Sequence, residues 1–65
     1  MTVTWTHEKG ALYGTRVSMR YEVYPPADEG AQWIWYAVDS RSDEVYASGR
    51  ENTEQLAIAA AEEHV

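Results

Sequence analysis

The chain has 65 residues, no cysteine and a formal net charge of −6, from eleven acidic against five basic side chains. This excludes a disulfide scaffold and a thiolate metal site. It also argues against direct binding of DNA, RNA or an anionic membrane, which need a basic footprint. One thin-cored domain is expected, because a chain this short buries only about 60% of the surface its unfolded form exposes.

Its large apolar groups are three Trp and five Tyr, with no Phe. Both ring types carry a polar handle and are enriched where proteins meet. No apolar run approaches the roughly 20 residues of a membrane span. The stretch Met1-Thr2-Val3-Thr4-Trp5 lacks the basic and apolar regions of a signal peptide, so the cytoplasm is the expected compartment.

Residues 2–7 alternate, with Val3 and Trp5 on one side and Thr2, Thr4 and Thr6 on the other, which predicts a strand. Glu8-Lys9-Gly10 reads as a turn, Ala11 to Tyr13 can continue a hairpin, and Gly14 marks a bulge or bend. Residues 15–24 form the longest alternating run and predict a half-buried strand. Val17, Met19, Tyr21 and Val23 are apolar on one face; Arg16, Ser18, Arg20 and Glu22 are polar on the other. Pro25-Pro26 ends it, because proline cannot donate to a ladder.

The stretch Ala31 to Val38 is apolar at both alternating sets of positions, as expected of a central strand, over about 32–39. A short loop then leads to an antiparallel partner strand at about 44–48, with Val45 and Ala47 on one face and Tyr46 on the other. Gly49 breaks that strand. A helix follows over about 53–64, capped by Asn52 or Thr53, with Asn52 and Gln55 resembling a capping box. Leu56, Ala57, Ala60, Ala61 and His64 gather on one helix face, with Ile58 and Val65 at its margin. The predicted fold is α+β: an antiparallel sheet of three to four strands with one C-terminal helix on one face.

One helix covers one sheet face. Ile34, Tyr36 and Val38 are assigned to the covered face, with Val17, Met19, Tyr21, Val23, Val45 and Ala47. Trp33, Trp35 and Tyr46 are then left on the open face, near Arg16, Arg20 and Tyr24. The alternation also allows the reverse, with both Trp in the core. Exposed aromatic patches often mark interaction surfaces, so Trp33, Trp35 and Tyr46 are candidate partner contacts, unless the loops 8–14 or 25–30 fold over them.

Catalytic and metal constellations are not evident. The chain has two His, His7 and His64, too few for a zinc site without Cys. The carboxylate pairs Asp28-Glu29, Asp43-Glu44 and Glu62-Glu63 lie in predicted loops or at a helix end, and a chain this short is not expected to enclose the pocket that general acid/base work needs. No cofactor, metal or enzymatic activity is expected. Glu8, Asp28, Glu29, Asp39, Asp43 and Glu44 fall in or beside loops and could present negative charge to a groove built for phosphates. The expected partner is a basic or DNA-binding protein, and the chain itself is a monomer or homodimer.

The small size, the acidity, the lack of cysteine and the strand–strand–strand–helix order resemble the anti-CRISPR proteins of phages and mobile elements, with inhibitors of type I, subtype I-C, surveillance complexes as the specific form. The resemblance covers the whole chain and carries no shared motif, so no residue role is transferred. It implies a non-enzymatic, phage-encoded inhibitor that acts in the host cytoplasm. Such an inhibitor binds a surveillance or nuclease subunit and obstructs its DNA-recognition surface, in part as a DNA mimic. From Tyr21 onward, the strands followed by Gly49-Arg50-Glu51-Asn52-Thr53-Glu54-Gln55-Leu56-Ala57 are also similar to the HicB-type antitoxin domain. That family has a Gly-x-Thr-x-Glu-Glu-Ala-like helix start and a DNA-binding tail; here the start is Thr53-Glu54-Gln55-Leu56 and no tail follows. The second resemblance implies an antitoxin or dimerising adaptor that holds a basic partner on an aromatic sheet face.

Overall fold

Five strands and one helix follow one another along the chain: β1 (Thr4–Glu8), β2 (Ala11–Arg16), β3 (Met19–Tyr24), β4 (Trp33–Asp39), β5 (Val45–Glu51) and α1 (Glu54–Glu62). The computed structural model describes residues 3–64; Thr2, expected in the first strand, and Val65, expected at the helix margin, lie outside the described residues. The strands form one antiparallel sheet in sequence order, and α1 packs on one face across β3, β4 and β5. The α+β class holds, with five strands rather than three or four.

The extra strand comes from the run 15–24, which is two strands and a turn. Lys9 and Gly10 both take positive φ, 51° and 85°, so β1 and β2 meet in the two-residue turn whose twist matches a hairpin. A second tight turn at Val17-Ser18 joins β2 to β3, with Ser18 at φ 67°. Arg16 and Met19 are directly paired across it. The turn therefore reverses the parity of the alternation: Arg16 shares a face with Met19 and Tyr21, and Val17 projects into solvent, 85% exposed. The expected placing of Val17 in the core and Arg16 on the open face is corrected on this ground.

β5 is longer than expected. It runs through Gly49 to Glu51. Val45 pairs with Val38 and Ala47 with Ala37, so Tyr46 is the extra residue of a bulge. The bulge puts Val45 and Ala47 on opposite faces, not on one.

The core lies between sheet and helix. Tyr21, Val23, Ala37 and Leu12 are fully or almost fully buried, and Val3 and Trp35 join them. The helix contributes Ala57 and Ala61, one turn apart and both fully buried, whose small side chains let the backbone settle close to the sheet. Ile58 and Ala60 pack at the edges of this contact. Leu56, expected on the buried face, is half exposed, because the Ala57–Ala61 line faces the sheet and turns Leu56 outward. Thr53 is the N-cap; its hydroxyl accepts from the Leu56 amide at 3.1 Å. Asn52 instead uses its side-chain Oδ1 to accept from Gln32 Nε2 at 2.9 Å, so the Asn52–Gln55 box does not form.

Candidate functional site

Cross-strand register decides which aromatics face the helix. Tyr21 pairs with Ala37 and Val23 with Trp35, so the odd-numbered residues of β3 and β4 share the helix-covered face. Trp33 and Trp35 are therefore in or against the core, and Ile34, Tyr36 and Val38 are on the open face. The assignment that left Trp33 and Trp35 open is reversed. Trp35 is 6% exposed, stacked under the His64 ring at 5.3 Å, and its indole N–H donates to Glu51 Oε2 at 3.3 Å. Gly49 lies beneath the same indole; a Cβ there would fall 2.7 Å from Trp35 Nε1. Trp5 is held similarly, over Gly14 and with its N–H donating to Glu62 Oε2 at 3.0 Å. Tyr46 is 70% exposed beside Met19, Ala47 and His64, at the β5 edge.

The open face carries a row of three other aromatics that zigzags across the sheet, Tyr13 and Tyr36 level with Glu22 and Tyr24 two residues further along β3. Tyr13 of β2, Tyr24 of β3 and Tyr36 of β4 have ring centroids 6.1 and 5.9 Å apart, meeting edge to face at 86° and 69°. All three are partly buried, and Ile34, Val38 and Val45 lie beside them. The row is braced by ionic contacts. Tyr24 donates its hydroxyl to Glu22 Oε1, and Arg20 Nε donates to Glu22 Oε2 at 2.8 Å. Arg20 also reaches Asp43 Oδ1 at 3.1 Å. The hydrogen bond to the Glu22 carboxylate, reinforced by burial, holds the Tyr24 phenol well above its ordinary pKa of 10.0. The bonds to Glu22 and then to Asp43 raise the Arg20 pKa above its ordinary value. Burial raises Tyr21, whose hydroxyl donates to the His64 carbonyl at 3.2 Å.

The expected acidic cluster divides between the two ends of the sheet. Glu8 closes β1 beside the Lys9-Gly10 turn, and Asp28 and Glu29 sit in the β3–β4 loop at the same end. The Asp28 carbonyl accepts from the Ala31 amide at 3.0 Å, across a turn with Gly30 at φ 87°. Asp39, Asp43 and Glu44 are at the other end. Two of these three have structural work: Asp39 Oδ1 accepts from the Arg41 amide at 2.8 Å, and Asp43 pairs with Arg20. Glu8, Asp28, Glu29 and Glu44 are exposed and their carboxylates make no hydrogen bond or ion pair among the described residues.

The charge is unevenly shared between the faces. The strands present Arg20 and Arg50 against Glu8 and Glu22 on the open face, which is close to neutral. The excess of acids therefore lies at the sheet ends and on the helix side, where Asp39, Glu51, Glu54, Glu62 and Glu63 outnumber Arg16. No three His, Asp or Glu converge in a metal-holding group among the described residues. Among them, too, no helix is long and apolar enough to cross a membrane.

The tyrosine row was not anticipated as a unit; Tyr24 and Arg20 were expected on the open face, but Tyr13 and Tyr36 were not. The signal for it is the pairing of Tyr13 with Glu22 and of Glu22 with Tyr36, which places two tyrosines either side of one carboxylate. Comparisons with protein-family models, curated proteins and solved structures find no match for the chain.

Proposed function

We propose that this chain is a non-enzymatic inhibitor that binds a basic, DNA-recognising subunit of a bacterial defence complex, in the manner of type I anti-CRISPR proteins, and covers the surface that DNA would use. The observation that supports this reading is the charge partition: most of the formal excess of −6 lies off the open face, whose Arg20 and Arg50 meet Glu8, Glu22 and, at its rim, Asp43, on a body 34 × 20 × 20 Å in extent. The long dimension is close to one turn of duplex DNA, about 34–36 Å. Duplex DNA of that length carries roughly 20 phosphate charges, so the chain offers less than a third of the charge it would displace. The acids steer and orient the encounter, and packing contacts supply the remainder of the affinity. The exposed, uncommitted carboxylates of Asp28, Glu29, Glu44 and Glu63 are the contacts expected to matter. The antitoxin-like alternative needs a basic partner on an aromatic sheet face. The aromatic face here is close to neutral, which favours the inhibitor reading.

The test is competition. A purified subtype I-C surveillance complex is mixed with labelled target duplex and increasing amounts of the chain, and DNA binding is followed by gel shift, with chain–complex binding measured directly at 50 and 200 mM salt. The expected result is displacement of DNA and direct binding that weakens with salt. Full DNA binding in the presence of saturating chain contradicts the proposal for that complex.

A further inference from the structure

β5 ends the sheet with its outer edge open. The strand is seven residues long, and its outer side pairs with no strand among the described residues. Such an edge presents a row of unpaired backbone N–H and C=O groups, which Lys, Pro or a bulge usually blunts. β5 has neither Lys nor Pro, and its bulge at Tyr46 leaves 47–51 regular. Among the described residues, three of the four exposed large apolar side chains also gather here: Val45 and Tyr46 at the start of the strand, and Leu56 on α1. Glu62 faces β1, where it accepts from the Trp5 indole. Leu56 is six residues earlier, about 240° around the helix, so it projects to the opposite side, over the β5 edge. β1, the other edge, is shorter, and its one large apolar side chain, Trp5, is committed to Glu62.

We propose that the β5 edge joins a second copy of this chain, strand to antiparallel strand about a two-fold axis, so that the two five-stranded sheets become one. The fold makes the two halves of this contact reciprocal. α1 starts at Thr53, just past the end of β5, and runs back until His64 lies with Tyr46 and Ala47 near the strand's start. Leu56 therefore stands over one end of β5 and Tyr46 at the other. An antiparallel second copy brings its Leu56 to Tyr46, and the axis repeats the contact. Both helices lie on the same face. With each over β4, where α1 makes most of its contact, they are three strand spacings apart, about 14 Å. Close-packed helices are about 8–10 Å apart, so the groove between them has room for both Tyr46–Leu56 pairs. An unrelated strand would satisfy the edge and leave Leu56 uncovered. β5 is about 24 Å long on a body 20 Å deep, so each copy offers an end wall of about 500 Å². The two walls together make about 1,000 Å², the lower bound for a specific interface, so the expected affinity is micromolar or weaker. Each copy carries −6, which opposes association, so salt strengthens this contact. The inference does not rest on the inhibitor reading, whose contact salt weakens.

The test is sedimentation velocity of the full chain from micromolar to millimolar concentration, at low and high salt, with amide chemical shifts of the ¹⁵N-labelled chain followed over the same range. The expected result is a monomer–dimer equilibrium that tightens with salt and stops at the dimer, with shifts concentrated at 45–51 and Leu56. Tyr46→Lys and Leu56→Lys, both at exposed positions, should each weaken the dimer at least about tenfold and leave the unfolding midpoint of the dilute chain unchanged. Either variant carries the test if the other does not fold. The proposal is overturned by a chain that stays monomeric at millimolar concentration and high salt, by a dimer that both variants leave intact, or by shifts centred on the Tyr13–Tyr24–Tyr36 face. Growth beyond the dimer with shifts at β1 also overturns it, since that is head-to-tail pairing of β1 with β5.

Discussion

Trp35 owes its position to a side chain that is missing. The indole lies flat over Gly49, with Nε1 2.7 Å and Cε2 2.9 Å from where a Cβ would stand. Gly49→Ala therefore drives a methyl into the ring and displaces it from His64 and Glu51. Overpacking of this kind costs about 1–3 kcal/mol; a urea unfolding midpoint equal to that of the parent chain would refute it. Tyr24 makes the complementary case, a hydroxyl whose proton the fold retains. Its pKa and that of Tyr21 are raised above the ordinary 10.0. The folded state therefore holds protons that the unfolded chain releases. This stabilisation is complete below about pH 10 and is lost as pH rises beyond it. Unfolding midpoints are expected to fall from pH 10 upward, and less steeply in Tyr24→Phe. That variant should also lose about 1 kcal/mol at neutral pH with the bond to Glu22. Identical slopes in the two proteins would show that Tyr24 does not carry the effect.

At the scale of elements, the turn between β2 and β3 shows where local pattern fails to fix structure. Most hairpin turns advertise themselves with Gly, Asn or Pro, as Lys9-Gly10 does. Val17-Ser18 carries no such mark, and Val17 has the same parity as Met19, so the alternation reads straight through it. Ser18 at φ 67° is a strained site for an L-residue. Ser18→Gly should relieve it and stabilise the protein by up to about 1 kcal/mol, measured by thermal or urea unfolding; a loss of stability would contradict the turn. The helix start was more legible, because Thr53, Glu54 and the alanine run act within one turn. Only the choice of cap between Asn52 and Thr53 needed the structure, since Gln32, which engages Asn52, is remote in sequence. Thr53→Ala should cost about 1 kcal/mol, and Asn52→Ala distinctly less. The stretch Ala31 to Val38 was legible as an interior strand because both its faces are apolar, although β3 rather than β4 is the middle strand and the helix covers only one face. Which face meets the helix is a property of register with β3, invisible in β4 alone.

At the scale of the whole molecule, aromatics and charge are sorted onto different surfaces. The indoles of Trp5, Trp33 and Trp35 pack with the helix, the tyrosine row lies on the opposite face, and the net charge sits at the ends and along the helix side. The loop acids were recognisable from sequence by their place beside turns. Their division between two ends, and the use of Asp39 and Asp43 within the fold, follow from topology. The proposed inhibition by occupancy of a DNA site rests on the acids that remain uncommitted. The most direct measurement is the competition assay repeated with Asp28→Lys, Glu29→Lys, Glu44→Lys and Glu63→Lys combined. None of these side chains holds the fold together, and a Lys near the helix C-terminus suits the dipole. Exposed charge contacts contribute about 0.2–1 kcal/mol each, so the combined variant should need at least about fourfold more protein to displace DNA from the surveillance complex, with an unchanged unfolding midpoint. Undiminished displacement by a folded variant would contradict the account and remove the acids from the mechanism.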